Sequence, residues 1–137
     1  MKRLTACLFA LTLGFGPAAA QDADPALGEQ LFARYCATCH GASAMGDGPR
    51  VNELNPQPPD LTRLTIRHNG VFPVERVVMR IDGRDPLVSH GSSMPVYGEL
   101  FDEAPWVATK TEAGQPILTS GPVVDLLAWL RKIQVKE

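Results

Sequence analysis

Two cysteines and a histidine lie close together near the start of the chain, within the stretch RYCATCHG at residues 34–41. Cys36 and Cys39 are two of the three cysteines in the 137-residue sequence, and His40 is one of its three histidines. Thiol and imidazole side chains bind metals, form disulfides, exchange electrons or carry covalent attachments. The spacing of these three residues must therefore be tested against each kind of chemistry.

Three of these interpretations are weak. A disulfide between Cys36 and Cys39 would close a very short loop, and the stabilisation by a disulfide grows with the length of that loop. A redox dithiol is typical of a thioredoxin-like βαβ setting, whereas nothing around residue 36 has the pattern of a strand. A structural zinc site needs four ligands, and the remaining histidines, His68 and His90, are single and far apart.

The pattern Cys36-x-x-Cys39-His40 is the attachment signature of a c-type haem. Two sulfurs about one helical turn apart suit two thioether bonds to vinyl groups on adjacent pyrroles. The next residue then places an imidazole beneath the iron. The sequence therefore predicts one covalently bound haem c, held by Cys36 and Cys39, with His40 as an axial ligand.

The first twenty residues have the three-part pattern of a cleaved secretory signal peptide. Lys2 and Arg3 form a basic start, residues 4–16 are an apolar run, and three alanines at 18–20 precede the expected cleavage site. The run is shorter than the roughly 20 residues that span a bilayer. Cys7 precedes most of the apolar run, whereas a lipoprotein cysteine follows it, so Cys7 is expected in the discarded segment. The sequence thus predicts export to the periplasm.

Residues 21–137 are expected to form one monohaem domain. Removing Lys2 and Arg3 from the 13 basic residues leaves 11 against 15 acidic ones, a formal charge of −4. Because no block of like charge stands out, nucleic-acid binding is not expected. No second apolar stretch is long enough to cross a membrane. We expect a monomer whose partners are redox proteins, namely membrane or periplasmic oxidoreductases.

The residues around the motif resemble the small class I cytochromes c, over nearly all of residues 21–137. Gly28 and Phe32 lie eight and four residues before Cys36, as in the first helix of that family. Residues 125–132, DLLAWLRK, look like its last helix, with Trp129 at the aromatic position. The resemblance implies that these two helices cross closely, with the glycine beside the aromatic ring. It also implies an all-α cytochrome c fold: three to four short helices and long Gly/Pro-rich loops wrapped around one covalently bound haem.

The helical periodicity supports three helices independently. Asp24 and Pro25 suit a helix start, and apolar residues recur at 0, 3, 4 and 7 from Gly28. A second helix is predicted at 73–82, ending at Gly83, and a last one after Thr119 or Ser120 as cap. The segments at 41–60, 83–98 and 101–121 are predicted loops, with a small hairpin at 106–111 and 115–119 as one interpretation of the last.

The second axial ligand has five candidates: Met45, Met79, Met94, His68 and His90. Met94 is preferred because it lies on a loop without regular period between the last two predicted helices, where the resemblance also implies a Met-Pro loop. Met45 is too close to the motif to reach the opposite face, and Met79 has the position of a core residue on a helix. His90 is the main competitor, and His68 is interpreted as a surface residue beside a turn.

The predicted surroundings of the haem are less specific. The ring of the proximal histidine is expected to donate to a backbone carbonyl, and the resemblance implies a proline carbonyl soon after the motif. Pro49 is the chosen acceptor, with Pro58 and Pro59 as alternatives. Three further residues are candidates for the haem propionates: Arg80, Arg84 and Trp106.

These features favour a periplasmic electron carrier rather than an enzyme. The predicted protein carries one electron on a His/Met-ligated haem c between a dehydrogenase or quinol-oxidising donor and an oxidase or reductase. One alternative is a peroxidase-like haem enzyme or ligand sensor with an open or His-ligated distal site, for which His90 is the candidate group. Another is a fixed cytochrome subunit of a larger oxidoreductase.

Overall fold

The described part of the chain is mainly helical. The computed structural model describes residues 22–86, 93–101 and 103–136, so the predicted signal peptide at 1–20 lies outside it. The regular elements are α1 (Pro25–Tyr35), α2 (Ala37–His40), α3 (Leu64–Arg67), α4 (Val74–Asp82), β1 (Trp106–Lys110), β2 (Pro116–Ser120) and α5 (Gly121–Lys132). Short 3₁₀ turns occupy Val51–Glu53, Leu61–Arg63 and Glu99–Phe101. Within these ranges no helix has the length and apolar character needed to cross a bilayer.

Helix α1 begins where the sequence predicts. The carboxylate of Asp24 accepts hydrogen bonds from the backbone N–H groups of Ala26 and Leu27 at 2.8 and 3.2 Å, and Pro25 occupies the first turn. These bonds satisfy donors that a helix start leaves without partners. The helix ends at Tyr35, directly before Cys36, and α2 carries the motif onward.

Helices α1 and α5 cross in direct contact, as the resemblance implies. A Cβ atom at Gly28 would overlap the backbone carbonyl of Asp125 and touch the Cβ of Trp129. One turn along α1, the rings of Phe32 and Trp129 lie with centroids 4.4 Å apart. Glycine therefore sets how closely the two helices approach, and the aromatic pair fills the crossing.

Helix α4 confirms the prediction for 73–82. It ends at Gly83, whose φ of 87° is the left-handed conformation typical of a helix stop. Helix α5 follows Ser120, which occupies the cap position without a side-chain hydrogen bond, and Pro122 lies in its first turn. The buried apolar side chains form one core: Phe32, Ala44, Val74, Val78, Ile81, Phe101, Val123, Leu126, Leu127, Trp129 and Leu130.

A two-stranded sheet corrects the all-α prediction. Strands β1 and β2 pair antiparallel, with Trp106 opposite Ser120 and Lys110 opposite Pro116. The turn between them contains Gly114 with a φ of 79°. Exposed and inward-facing side chains alternate along both strands, so that one face of the hairpin is exposed and the other packs inward. The hairpin interpretation of 106–119 is thus confirmed, because alternating β-branched residues outweigh the turn-rich composition of the segment.

Candidate cofactor site

A cavity of about 680 Å³ lies between the helices. Its volume falls within the range of roughly 300–1,000 Å³ that is usual for ligand and cofactor sites. The wall is mostly apolar and draws on α1, α4 and α5 as well as on the segment after α2; it includes Phe32, Leu54, Leu61, Val77, Leu126 and Leu130. A large flat apolar group is the kind of ligand that such a wall accepts.

Cys36 and His40 of the motif line this one cavity together with Met94. Cys36 and His40 share a helical turn, in which the N–H of His40 donates to the carbonyl of Cys36 at 2.9 Å. Cys39 is half-buried beside them but is not among the lining residues, and both thiols are free. The contiguous motif and the distant Met94 therefore meet at the same place.

Burial shifts the pKa values of Cys36 and His40. It raises the pKa of the Cys36 thiol to about 11, with a smaller contribution from the charge of Cys39. Burial also lowers the pKa of His40, and the nearby backbone carbonyl of Pro59 opposes part of that shift. The imidazole is consequently held neutral, which is the form that binds a metal.

The buried Nδ1 atom of His40 makes no hydrogen bond of normal geometry. The Pro59 carbonyl near the ring is the one that could accept from it, whereas Pro49 is exposed and is absent from the cavity wall. A metal on the other ring nitrogen needs Nδ1 as a proton donor to such a carbonyl. The structure thus places Pro59, one of the two alternatives, where the sequence analysis placed Pro49.

The loop after the motif is packed tightly beneath it. The N–H of Gly46 donates to the carbonyl of His40 at 2.8 Å, and the N–H of Leu61 donates to Ala44 at 2.7 Å. Gly48 lies so close to the backbone of Cys39 that a side chain there would collide with it. These contacts bring the Pro58–Pro59 segment, which lines the cavity, alongside the motif.

Of the four candidates for the second axial ligand that the structure describes, Met94 and His68 line the cavity. Met94 is half-buried, packs against the core and lies in the wall. Met45 is 57% exposed, and Met79 is absent from the wall. His90 lies outside the described residues.

His68 corrects the sequence interpretation. It does precede a turn, at Asn69 and Gly70, which both have positive φ. However, it is half-buried and lines the cavity, and its Nδ1 donates to the carbonyl of Leu64 at 2.8 Å. The sequence interpretation assigned His68 to the surface because a turn follows it. It was wrong because the sequence does not show which way the turn faces.

The three candidates for the propionates separate in the structure. Arg80 lines the cavity and pairs with Asp85 at 3.2 Å. Arg84 instead binds Asp82 and the backbone carbonyl of Leu118, and is absent from the wall. Trp106 lies on β1, is 54% exposed and is also absent from the wall.

Two further arginines of the wall were missed by the sequence analysis, namely Arg67 and Arg76. Arg76 lies four residues before Arg80 on α4, with Val77 between them also in the wall. The i, i+4 spacing on a helix was a signal that could have paired the two arginines. Among the described residues no carboxylate lines the cavity, so its charged groups are all basic.

The residues present fit a haem. Two thiols in a Cys-x-x-Cys-His motif, a neutral imidazole and a thioether are the groups that attach and ligate a c-type haem. An apolar wall with arginines suits a macrocycle that is apolar apart from its two carboxylates. The unpartnered Nδ1 of His40 beside the Pro59 carbonyl fits a metal on the opposite nitrogen.

Comparison with known proteins agrees with this chemistry. Residues 23–108, well over half of the chain, match the family described as cytochrome c oxidase, cbb3-type, subunit III. No curated protein and no solved structure matches the chain. The match includes α1, the Cys-x-x-Cys-His motif, α4 and Met94. On these grounds the chain belongs to that family and is a c-type cytochrome, with a covalently bound haem c that serves electron transfer.

Proposed function

We propose that the chain, after removal of residues 1–20, is a periplasmic carrier of single electrons with His40 and Met94 as the axial ligands of one haem c. The observation that carries the proposal is the presence of Cys36, His40 and Met94 in the wall of one apolar cavity. The basic start, apolar run and alanines of residues 1–20 support export. When bound, haem c supplies a one-electron Fe(III)/Fe(II) couple.

Each residue has a separate part in this function. Cys36 and Cys39 hold the group covalently, and His40 offers a neutral imidazole because burial lowers its pKa. Met94 offers a neutral thioether, and His/Met ligation raises the reduction potential. The apolar wall excludes water and thereby disfavours the additional positive charge of the oxidised state. Donors and acceptors of the expected classes are a dehydrogenase or quinol oxidiser and an oxidase or reductase.

The test is a set of visible spectra of protein purified from the periplasm. Mass spectrometry of that material should give the mass of residues 21–137 plus one haem. The oxidised protein should show the weak red band of Met–Fe(III) ligation and should resist cyanide, while the reduced protein should resist CO. Met94→Ala should abolish the red band and admit cyanide, whereas Met79→Ala, the matched control outside the wall, should keep both properties.

Each contrary result identifies a different error. A bare polypeptide with free thiols would refute haem attachment. A wild-type spectrum without the red band, together with rapid cyanide binding, would replace the carrier with an open-site haem enzyme or sensor. Retention of the red band in Met94→Ala would refute the assignment of Met94.

A second candidate is a fixed cytochrome subunit of an oxidoreductase complex, because the matched family is described as an oxidase subunit. The outer face of the hairpin agrees with this idea, since Trp106 and Leu118 are 54% and 56% exposed on the same side of it. Large exposed apolar groups often mark protein contacts. Size-exclusion chromatography of a native extract decides: elution of the haem absorbance with a large complex supports the subunit, and elution at the mass of the free chain supports the carrier.

A further inference from the structure

A single hydrogen bond joins the segment of Met94 to the helix that presents the haem-attachment motif. The hydroxyl of Tyr97, three residues after Met94, donates to the backbone carbonyl of Tyr35 at 2.7 Å. Tyr35 is the last residue of α1 and directly precedes Cys36. The bond therefore spans 62 residues of sequence and connects the two sides of the candidate site.

The acceptor is well suited to this contact. The last carbonyls of a helix have no partner within the helix and must be satisfied by other donors. The hydroxyl of Tyr97 meets one of them at the end of α1, where both residues are half-buried. Loss of the donor would leave a partly buried carbonyl without its partner, which is costly in free energy.

Neighbouring contacts hold Tyr97 in one position. Its backbone N–H donates to the carbonyl of Ile81 near the end of α4 at 2.8 Å. Its ring lies 6.2 Å from the ring of Tyr35 and 6.1 Å from that of Phe101. The next residue, Gly98, is packed so closely on the carbonyl of Asp82 that a side chain would collide with it. The backbone at residue 97 is thus fixed on α4, and the hydroxyl is directed to α1.

We propose that Tyr97 is a positioning residue, whose hydroxyl holds the Met94 segment against α1 and so keeps the thioether at the haem. The inference rests on the proposed His40/Met94 ligation. Tyr97 does not touch the iron. It stabilises the closed arrangement, in which Met94 lies at the haem, relative to an open arrangement in which the Met94 segment has moved away. Without the hydroxyl the open arrangement is more populated, and an external ligand competes better for the iron.

The donor remains available over a wide pH range. Burial raises the pKa of the Tyr97 hydroxyl, and the charges of Cys36 and Cys39 raise it further. In the haem-bound protein both sulfurs are uncharged thioethers, so only the contribution of burial remains. A neutral hydroxyl is the form that can donate to a carbonyl.

The test compares imidazole binding by the oxidised proteins, followed by loss of the red band. Tyr97→Phe removes the hydroxyl and keeps the ring, and we expect its affinity for imidazole to rise about fivefold, equivalent to about 1 kcal/mol. The red band should also disappear at a lower pH on alkaline titration. Tyr35→Phe is the matched control. It removes a hydroxyl from the same aromatic group but keeps the backbone carbonyl of Tyr35, which accepts the hydrogen bond from Tyr97.

The outcomes distinguish the positioning role of Tyr97 from the ligation by Met94 on which it rests. If the wild-type protein lacks the red band, or Met94→Ala keeps it, the proposed function fails before Tyr97 is considered. If ligation by Met94 is confirmed, equal imidazole affinities in wild type and Tyr97→Phe overturn the proposed role of Tyr97. Equal increases in Tyr97→Phe and Tyr35→Phe also overturn it, because the loss of either hydroxyl from this aromatic group would then have the same effect.

A second measurement covers the case in which Tyr97→Phe yields no haem protein. In the reduced wild-type protein, the hydrogen-bonded hydroxyl proton of Tyr97 should be slowed in exchange and visible by NMR at low temperature. A hydroxyl proton that exchanges as rapidly as that of an exposed tyrosine would overturn the proposal.

Discussion

At the scale of single residues, the site depends on which side chains burial keeps neutral. Burial lowers the pKa of His40 and raises that of Cys36. Both shifts favour uncharged groups in an apolar wall, where a charge would be poorly solvated. The charged exceptions in the wall are arginines, of which Arg80 is half-buried and pairs with Asp85, whereas Arg67 and Arg76 are exposed. These cations should act on the reduction potential over a distance.

The two arginines that the sequence could not separate provide a test at this scale. Arg80 lines the cavity and Arg84 does not. Arg80→Gln should lower the midpoint potential, because a nearby cation favours the less positive Fe(II) state. The shift should be on the order of 20 mV, as Coulomb's law gives for one charge about 10 Å away in water-like surroundings. Arg84→Gln, which removes a charge outside the wall, should shift the potential less, as measured by redox titration at low ionic strength; equal shifts in both variants would contradict the placement.

At the scale of elements, the crossing of α1 and α5 positions the motif. Gly28 allows the backbones to touch, and the ring pair of Phe32 and Trp129 fills the space one turn further along. The N–H of Asp24 also donates to the carboxylate of Asp125 at 2.7 Å, which joins the start of α1 to α5. Because Cys36 directly follows α1, its place in the cavity wall depends on this crossing.

Gly28→Ala tests the crossing through the sign of its effect. Helix propensity alone predicts a gain of about 1 kcal/mol in the free energy of unfolding. We expect instead a loss of about 2 kcal/mol, because the new methyl group overlaps the carbonyl of Asp125 and overpacking costs roughly 1–3 kcal/mol. Denaturant unfolding of the haem protein measures this. The control Gln30→Ala, at an exposed position of α1, should change little; a stabilised Gly28→Ala would contradict the close crossing.

The hairpin of β1 and β2 contacts both ends of α4. The carboxylate of Glu112, in the hairpin turn, accepts from the N–H of Glu75 at 3.2 Å. Beyond the other end of the helix, Arg84 donates to the carbonyl of Leu118 at 2.7 Å. No described residue of either strand lines the cavity. The hairpin therefore supports the outside of a helix whose other side forms part of the cavity wall.

Removal of the Arg84 contact should loosen this support. Arg84→Gln loses its bonds to Asp82 and to Leu118, so we expect faster amide hydrogen exchange in β2 and in the last turn of α4. Arg50→Gln is the control, since it removes an ion pair with Glu53 that is exposed to solvent and should contribute little to stability. Unchanged exchange in β2 of Arg84→Gln would show that the hairpin is held by its apolar face alone.

At the scale of the whole molecule, the core and the cavity wall are made of the same side chains. Phe32, Ile81, Leu126 and Leu130 belong to both. Without the haem, these apolar side chains would line a cleft of about 680 Å³ that is open to water, so the apolar surface that the haem covers would be exposed to solvent. The haem should therefore be a structural part of the core.

The chain without haem should consequently be largely unfolded. The double variant Cys36→Ala/Cys39→Ala cannot attach the group and should lose most of its helical circular dichroism. Met94→Ala, which keeps both attachment sulfurs, should retain the helical signal and serves as the control. A native helical spectrum in the double variant would show that the polypeptide packs without its cofactor.

The local features of this protein can be read from its sequence because their causes are local. The haem motif is contiguous, Asp24 caps the helix that begins at the next residue, and Gly83 ends α4 through its own backbone conformation. The order of elements, together with the family resemblance, made Met94 the preferred second ligand. Met94 lies in the cavity wall, and its ligation of the iron stays a prediction.

Which side chains line the cavity is decided only by tertiary packing. Pro59 instead of Pro49 lies beside His40, and the wall contains Arg67, Arg76 and His68. Arg84, by contrast, is directed to the hairpin. A side chain's direction relative to a cavity depends on how distant helices cross, and Gly28 sets that crossing by its contact with α5, far along the chain. Sequence patterns report the chemical nature of each residue, whereas tertiary contacts, such as that between α1 and α5, decide which of them line the cavity.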